Sequence, residues 1–119
     1  MLIVDGDLGF TFWLGHVLDA AAYLALPAKS PADAALLVMQ LDLKVDVLVI
    51  NLALAGAVDF IGALHRSQSN IKVIGVLNDA QQDVNIPGVH AIQPKPMIPD
   101  RAAQAEWLQC IERVLQTSS

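Results

Sequence analysis

The chain has 119 residues, enough for one domain with one core, and it carries 7 basic and 12 acidic residues for a formal net charge of −5. It has no basic stripe to meet a phosphate backbone, and no apolar run reaches the roughly 18–20 residues that span a bilayer, so neither nucleic acid nor membrane is expected as a partner. The single cysteine, Cys110, excludes an intrachain disulfide framework and a Cys-rich zinc site.

The opening segment, MLIVDGD, has no basic n-region and meets an acid at Asp5, so it does not read as a signal peptide, and a cytoplasmic protein is expected. Residues 2–4 are predicted as a short buried strand that closes at Asp5-Gly6-Asp7. Residues 8–21 read as a helix, because Phe10, Trp13, Leu14, Val17, Leu18 and Ala21 recur at spacings of three and four. With Trp13, Leu14, Val17 and Leu18 inward, Phe12 and His16 point outward. AYLALP (22–27) fits a second strand stopped by Pro27. Ser30 then reads as an N-cap, with Pro31 at the first helical position and Asp33 near the positive end of the dipole. That helix is expected to run to about Leu41, with Ala34, Leu37, Val38 and Leu41 on one face.

VDVLVIN (45–51) is apolar beyond Asp46, as expected for the centre of a parallel sheet. Asp46 is expected to cap or solvate the strand entrance. Residues 57–67 form a third predicted helix with Val58, Ile61 and Leu64 inward; Gly62 weakens it by up to about 1 kcal/mol relative to Ala. KVIGVL (72–77) is a fourth strand, and residues 78–88 have room for one or two helical turns before Pro87-Gly88. VHAIQ (89–93) is a fifth strand. After the loop PKPMIPD, residues 101–116 form the last helix, capped by Asp100, with Trp107, Leu108, Ile111, Val114 and Leu115 as its apolar face.

Strands alternating with helices imply βαβ units, right-handed crossovers and a parallel sheet covered on both faces. The expected fold class is α/β, a flavodoxin-like (βα)5 three-layer sandwich, as one domain over residues 1–119. In open sheets of this type, function sits at the carboxyl ends of the strands near the topological switch point. For the order 2-1-3-4-5 that point lies between strands one and three, where Asp5, Asp7 and Asn51 fall.

On LIVDGD, VDVLVIN, VIGVLN and GVHAIQPKP, in this order and spacing, the chain resembles the receiver domains of two-component response regulators over essentially its whole length. The order 2-1-3-4-5 comes with that resemblance. It implies acids after the first strand that bind a divalent metal and an Asp ending the third strand that accepts a phosphoryl group. It also implies a Ser or Thr after the fourth strand, an aromatic in the fifth, and a Lys-Pro pair contacting the phosphoryl group. Here Asp5 matches the first acid, but Gly6 stands at the second, with Asp7 following. Asn51 stands at the phosphoacceptor, Asn78 at the Ser/Thr, Ile92 at the aromatic switch, and Lys95-Pro96 at the Lys-Pro pair. Ala55 replaces the family's proline. The resemblance also implies a cis Lys95–Pro96 bond.

These departures have chemical consequences. An acyl phosphate needs a carboxylate nucleophile, and the Asn51 amide is not one. Magnesium prefers anionic oxygens, and Gly6 and Asn51 both remove charge from the site. The expectation is a degenerate pocket of Asp5, Gly6, Asp7, Asn51, Asn78 and Lys95, with Asp5 and Asp7 as weak residual metal candidates and no cofactor. Lys95 is expected to serve as a built-in cation, with Asn51 donating to Asp5 and accepting from Lys95. The expected function is a phosphorylation-independent pseudo-receiver: a non-enzymatic interaction or dimerisation module in bacterial signalling or transcriptional control. Its partners would be another protein, a second copy, an output domain or a histidine-kinase-pathway protein. The alternatives are a true phosphoreceiver using Asp5 or Asp7 as substitute acceptor, or a small-ligand sensor, although DGDLGF is not a G-x-G-x-x-G loop.

Charged residues are 16% of the chain, against about 25% in typical domains, so some apolar surface is expected to be covered by a partner. Candidate interface residues are Phe12 and His16 on the first helix, and Ala102 and Ala105 beside the stripe of the last. His16, His65 and His90 show no ligand spacing and read as surface or half-buried histidines. Cys110 reads as a small packing residue.

Overall fold

Alternating side chains along each apolar run force burial on two faces, and the structure provides both. It is a computed structural model and describes residues 1–77 and 86–116. The strands are β1 (Leu2–Val4), β2 (Leu26–Ala28), β3 (Val47–Asn51), β4 (Lys72–Leu77) and β5 (Ala91–Pro94). They form one parallel sheet in the order β2-β1-β3-β4-β5. The helices are α1 (Leu8–Ala20), α2 (Pro31–Gln40), α3 (Ala57–Ser67) and α4 (Arg101–Gln116).

On one face of the sheet, Leu2, Val4, Leu48, Ile50 and Val73 pack with Ala34 of α2 and Ala57, Phe60, Ile61 and Leu64 of α3. On the other, Ile3, Val47, Val49, Ile74 and Val76 pack with Phe10, Leu14 and Leu18 of α1 and Trp107, Ile111 and Val114 of α4. The fold is therefore the expected three-layer α/β sandwich of the receiver type. None of its helices is long and apolar enough to cross a membrane among the described residues.

The register places the site. Val4 pairs with Ile50, so Asp5 leaves β1 beside Asn51 at the end of β3. Asn51 pairs with Val76, and Leu77 pairs with Pro94, so Lys95 leaves β5 at the same edge of the sheet. All three polar residues thus emerge at the carboxyl ends of neighbouring or next-neighbouring strands.

Several predicted boundaries and faces are corrected. The second strand starts at Leu26 rather than residue 22, because residues 21–23 finish α1 instead. Ala21 N–H and Tyr23 N–H donate to Leu18 O, Ala22 N–H donates to Asp19 O, and Ala22 takes a left-handed φ of 67°. Pro27 does not stop this strand but sits within it. Leu26 N–H donates inward to Met1 O, so the Pro27 nitrogen faces the open edge, where no donor is needed. The third strand begins at Val47 rather than 45, since Val45 N–H is taken by Gln68 Oε1 at 2.7 Å. The fifth runs from Ala91 to Pro94 rather than from 89 to 93.

Val58 was expected inward but is exposed; Phe60 takes its place in the core. Leu41, just beyond α2, and Leu115 on α4 are also exposed, and Trp13 is only half-buried, with Phe10 and Thr11 completing the inner face of α1. The Lys95–Pro96 bond is trans, contrary to what the resemblance implied. The turns expected in residues 78–88, and Asn78 with them, fall largely in 78–85, outside the described residues.

The predicted caps hold. Ser30 Oγ accepts from Asp33 N–H at 3.1 Å, and Asp100 Oδ1 accepts from Ala103 N–H at 2.9 Å. Asp46 Oδ1 accepts from Val47 N–H at 2.8 Å at the entrance of β3.

Candidate functional site

The β1–α1 turn supplies two carboxylates with different jobs. Asp5 is 2% exposed, and its Oδ1 accepts from Asp7 N–H at 3.0 Å, which tightens the turn. Asp7 is the N-cap of α1: its Oδ1 accepts from Phe10 N–H at 3.2 Å, and its backbone carbonyl accepts from Thr11 Oγ1 at 2.9 Å. The Phe10 N–H is the main cause that holds the Asp7 carboxyl below its ordinary range. Partial burial opposes this, and the Lys95 ammonium adds to it.

Lys95 closes the cluster from β5. Its backbone N–H donates to Leu77 O at 3.0 Å, which fixes the start of the side chain. Its Nζ lies 2.9 Å from Asp5 Oδ2 and 3.3 Å from Asp7 Oδ2. The ammonium also stands 5.3 Å from the Phe10 ring centroid. Phe10 in turn packs on Trp107, with ring centroids 5.5 Å apart, so the polar cluster rests on an aromatic floor. Lys95 is the close polar neighbour of Asp5 Oδ2, an ion pair rather than an aligned hydrogen bond.

Asn51, 5% exposed, donates from Nδ2 to Asp5 Oδ1 at 3.3 Å. Its Oδ1 accepts from Ala53 N–H at 2.9 Å instead of from Lys95 as expected. A short side chain that bonds the N–H two residues on makes an Asx-type turn, and here it starts the loop from β3 to α3. The structure therefore brings Asp5, Asp7, Asn51 and Lys95 together. Gly6 lies beside them on an exposed stretch, and among the described residues a Cβ there would meet only Lys29 O at 3.7 Å, which leaves room for a side chain.

The donor set does not suit a magnesium ion. Gly6 brings no side-chain oxygen, Asn51 brings a neutral amide, and the Lys95 ammonium stands within ion-pair distance of both carboxylates. Among the described residues, no group of three His, Cys, Asp or Glu side chains could hold a metal.

Ile92, which the resemblance set at a switch position, is 38% exposed on β5, where it pairs with Gly75. Gly75 was not singled out from the sequence. A Cβ on it would fall 2.6 Å from Leu52 Cδ1, so it makes room for the residue following Asn51. The signal was the one glycine inside an otherwise apolar strand. Cys110 is buried, and burial pushes its thiol up from the ordinary value, which suits a packing residue rather than a nucleophile.

The candidate interface residues Phe12, His16, Ala102 and Ala105 are all exposed. Phe12, 61% exposed, borders a groove of about 380 Å³ between α1 and α2, with Leu8, Pro27, Leu36 and Leu37 along its walls. Leu8 and Leu36 escaped the sequence reading, since each sits on the outer side of a helix whose inner face is also apolar. Ala102 and Ala105 do not line this groove.

Compared by sequence, the chain matches no protein-family model and no curated protein. Compared by structure, it is similar to receiver domains. The N-terminal domain of a response regulator/sensory box/GGDEF three-domain protein from Carboxydothermus hydrogenoformans superposes with a TM-score of 0.78 at 16% identity, covering 97% of this chain and 92% of that one. A CheY-like response regulator receiver domain protein from Methanospirillum hungatei gives 0.76 at 17% identity, over 96% and 90% of the two chains. The chemotaxis response regulator CheY4 of Vibrio cholerae gives 0.73 at 19% identity, over 92% and 95%. At these identities the likeness is one of fold.

Proposed function

We propose that this chain is a pseudo-receiver: a cytoplasmic, single-domain interaction module of bacterial signal transduction or transcriptional control that works without phosphorylation and without enzymatic activity. The observation that supports this reading is the closed polar cluster. The acceptor position holds an amide engaged with Asp5 and Ala53, and a protein cation, Lys95, pairs with both carboxylates and offsets one of the two charges that would otherwise draw a metal. A substitute acceptor finds little support in the geometry. Asp5 is buried and paired, and both oxygens of Asp7 are engaged, one as helix cap and one with Lys95.

An interaction role is supported by the groove between α1 and α2, with Phe12 and Leu36 exposed along it. Pro27 removes the outward N–H from the neighbouring edge strand, which disfavours strand addition. The groove between two helices instead suits an amphipathic helix of a protein partner.

The cluster is tested by isothermal titration with magnesium. The parent protein is expected to give no saturable heat. A Gly6→Asp/Asn51→Asp double variant, which restores two carboxylates where space allows, is expected to bind. Saturable binding by the parent would contradict the reading.

A further inference from the structure

The amino-terminal entrance of β5, remote from Lys95, is held by two histidines in opposite hydrogen-bonding roles. His90 precedes β5. Its backbone N–H donates to Val73 O at 2.8 Å, and its ring Nδ1 lies 3.1 Å from Val73 N–H, which donates to it. The imidazole thus takes the place of a strand carbonyl and completes a rung between β4 and the segment entering β5. His65, in the last turn of α3, sets Nε2 3.0 Å from Gly88 O. A carbonyl only accepts, so this nitrogen is the donor. Gly88 has φ of 87°, and a Cβ there would fall 2.9 Å from the His65 ring, so the turn fits the imidazole closely.

These roles respond differently to a proton. A histidine that donates to a carbonyl keeps that bond when protonated. A histidine that accepts from a backbone N–H loses it, because both ring nitrogens of an imidazolium carry hydrogen. The His90 ring keeps an exposed edge, so protons reach it from solvent.

We propose that the His90–Val73 rung is an acid-sensitive latch: protonation of His90 releases the entrance of β5, the edge strand of the sheet, while His65 keeps its bond to the Gly88 turn.

The surroundings favour the latched state at neutral pH. Partial burial is the first cause that lowers the His90 value from its ordinary 6.5, followed by the Lys72 ammonium of β4 and then by His65 of α3. Among the described residues, these are the charged and titratable groups that bear on the ring from the elements packed against it. The Asp46 carboxylate is instead engaged with Val47 N–H and the chain's amino terminus. The ring centroids of His65 and His90 lie 6.1 Å apart, so charging one opposes charging the other. With the folded value below the unfolded one, the latch contributes fully above 6.5 and is lost as pH falls through the lower folded value.

The test is amide hydrogen exchange by NMR on the whole chain, with His90 titrated in the same samples. The Val73 protection factor, corrected for intrinsic exchange, is expected to fall with acid. The fall should be about tenfold for each unit by which His90 lies below its ordinary value. A His90→Asn variant keeps an acceptor oxygen near the Nδ1 position but does not titrate, so its Val73 protection should be flat. A His65→Asn variant should retain the fall. A flat Val73 profile in the parent, an equal fall in His90→Asn, a loss of the fall in His65→Asn, or titration of His90 at or above the ordinary value would each overturn the latch.

Discussion

Lys95 carries the charge balance of the site, because its ammonium stands between a carboxylate that is 2% exposed and another that caps a helix. Replacing it by a neutral chain of similar shape strands the Asp5 carboxylate in the interior. Lys95→Met is therefore expected to cost about 3 kcal/mol in urea unfolding at neutral pH, and a Lys95→Met/Asp5→Asn pair should recover part of that loss. An unchanged unfolding midpoint in Lys95→Met would mean that the ammonium does not neutralise Asp5. At this scale the sequence was informative about which residues meet, since strand ends in a parallel sheet share one edge. It was less informative about which atoms bond. The expected Lys95-to-Asn51 bond was lost to a nearer donor, the Ala53 N–H, which the Asn51 oxygen reaches within its own turn.

At the scale of elements, caps and alternation did most of the work. Ser30-Pro31, Asp100 and the apolar β3 and β4 runs were legible because each satisfies a local rule of hydrogen bonding or burial. Boundaries set by tertiary partners were not. Residues 21–23 turned back to close α1, and Gln68 claimed Val45 N–H from another element. Asp7 also went unrecognised as a helix cap, because the resemblance marked it as a spare acid. Asp7→Ala is expected to cost about 1 kcal/mol at neutral pH and Asp7→Asn less, since Asn also caps. The Asp7 carboxyl is held below its ordinary value of 3.8, so its contribution is present above that value and fades as pH falls through the lower folded one. The stability gap between parent and Asp7→Ala should therefore narrow in acid, as thermal unfolding at stepped pH would show. A gap independent of pH would contradict the cap's ionic character.

For the whole molecule, the low charge content has a structural counterpart in the exposed apolar side chains of Leu8, Phe12 and Leu36 around one groove. Composition announced surplus apolar surface and the spacing on α1 turned Phe12 outward, but Leu8 and Leu36 were missed, because helices apolar on both sides give no clear facing at every position. Phe12→Ser should leave stability within about 0.5 kcal/mol of the parent, as for a surface site, while lowering the binding of an apolar fluorescent dye to the native protein. A large loss of stability would place Phe12 in the core instead. The parallel α/β class was legible from the alternation of strands and helices, while the strand order came only with the family resemblance; whether that fold works by phosphoryl transfer depends on a few side chains at one edge. The most direct measurement is intact mass after incubation with acetyl phosphate and magnesium. The parent protein is expected to show no added phosphoryl group, whereas a stable phosphoryl adduct on Asp5 or Asp7 would contradict the pseudo-receiver account.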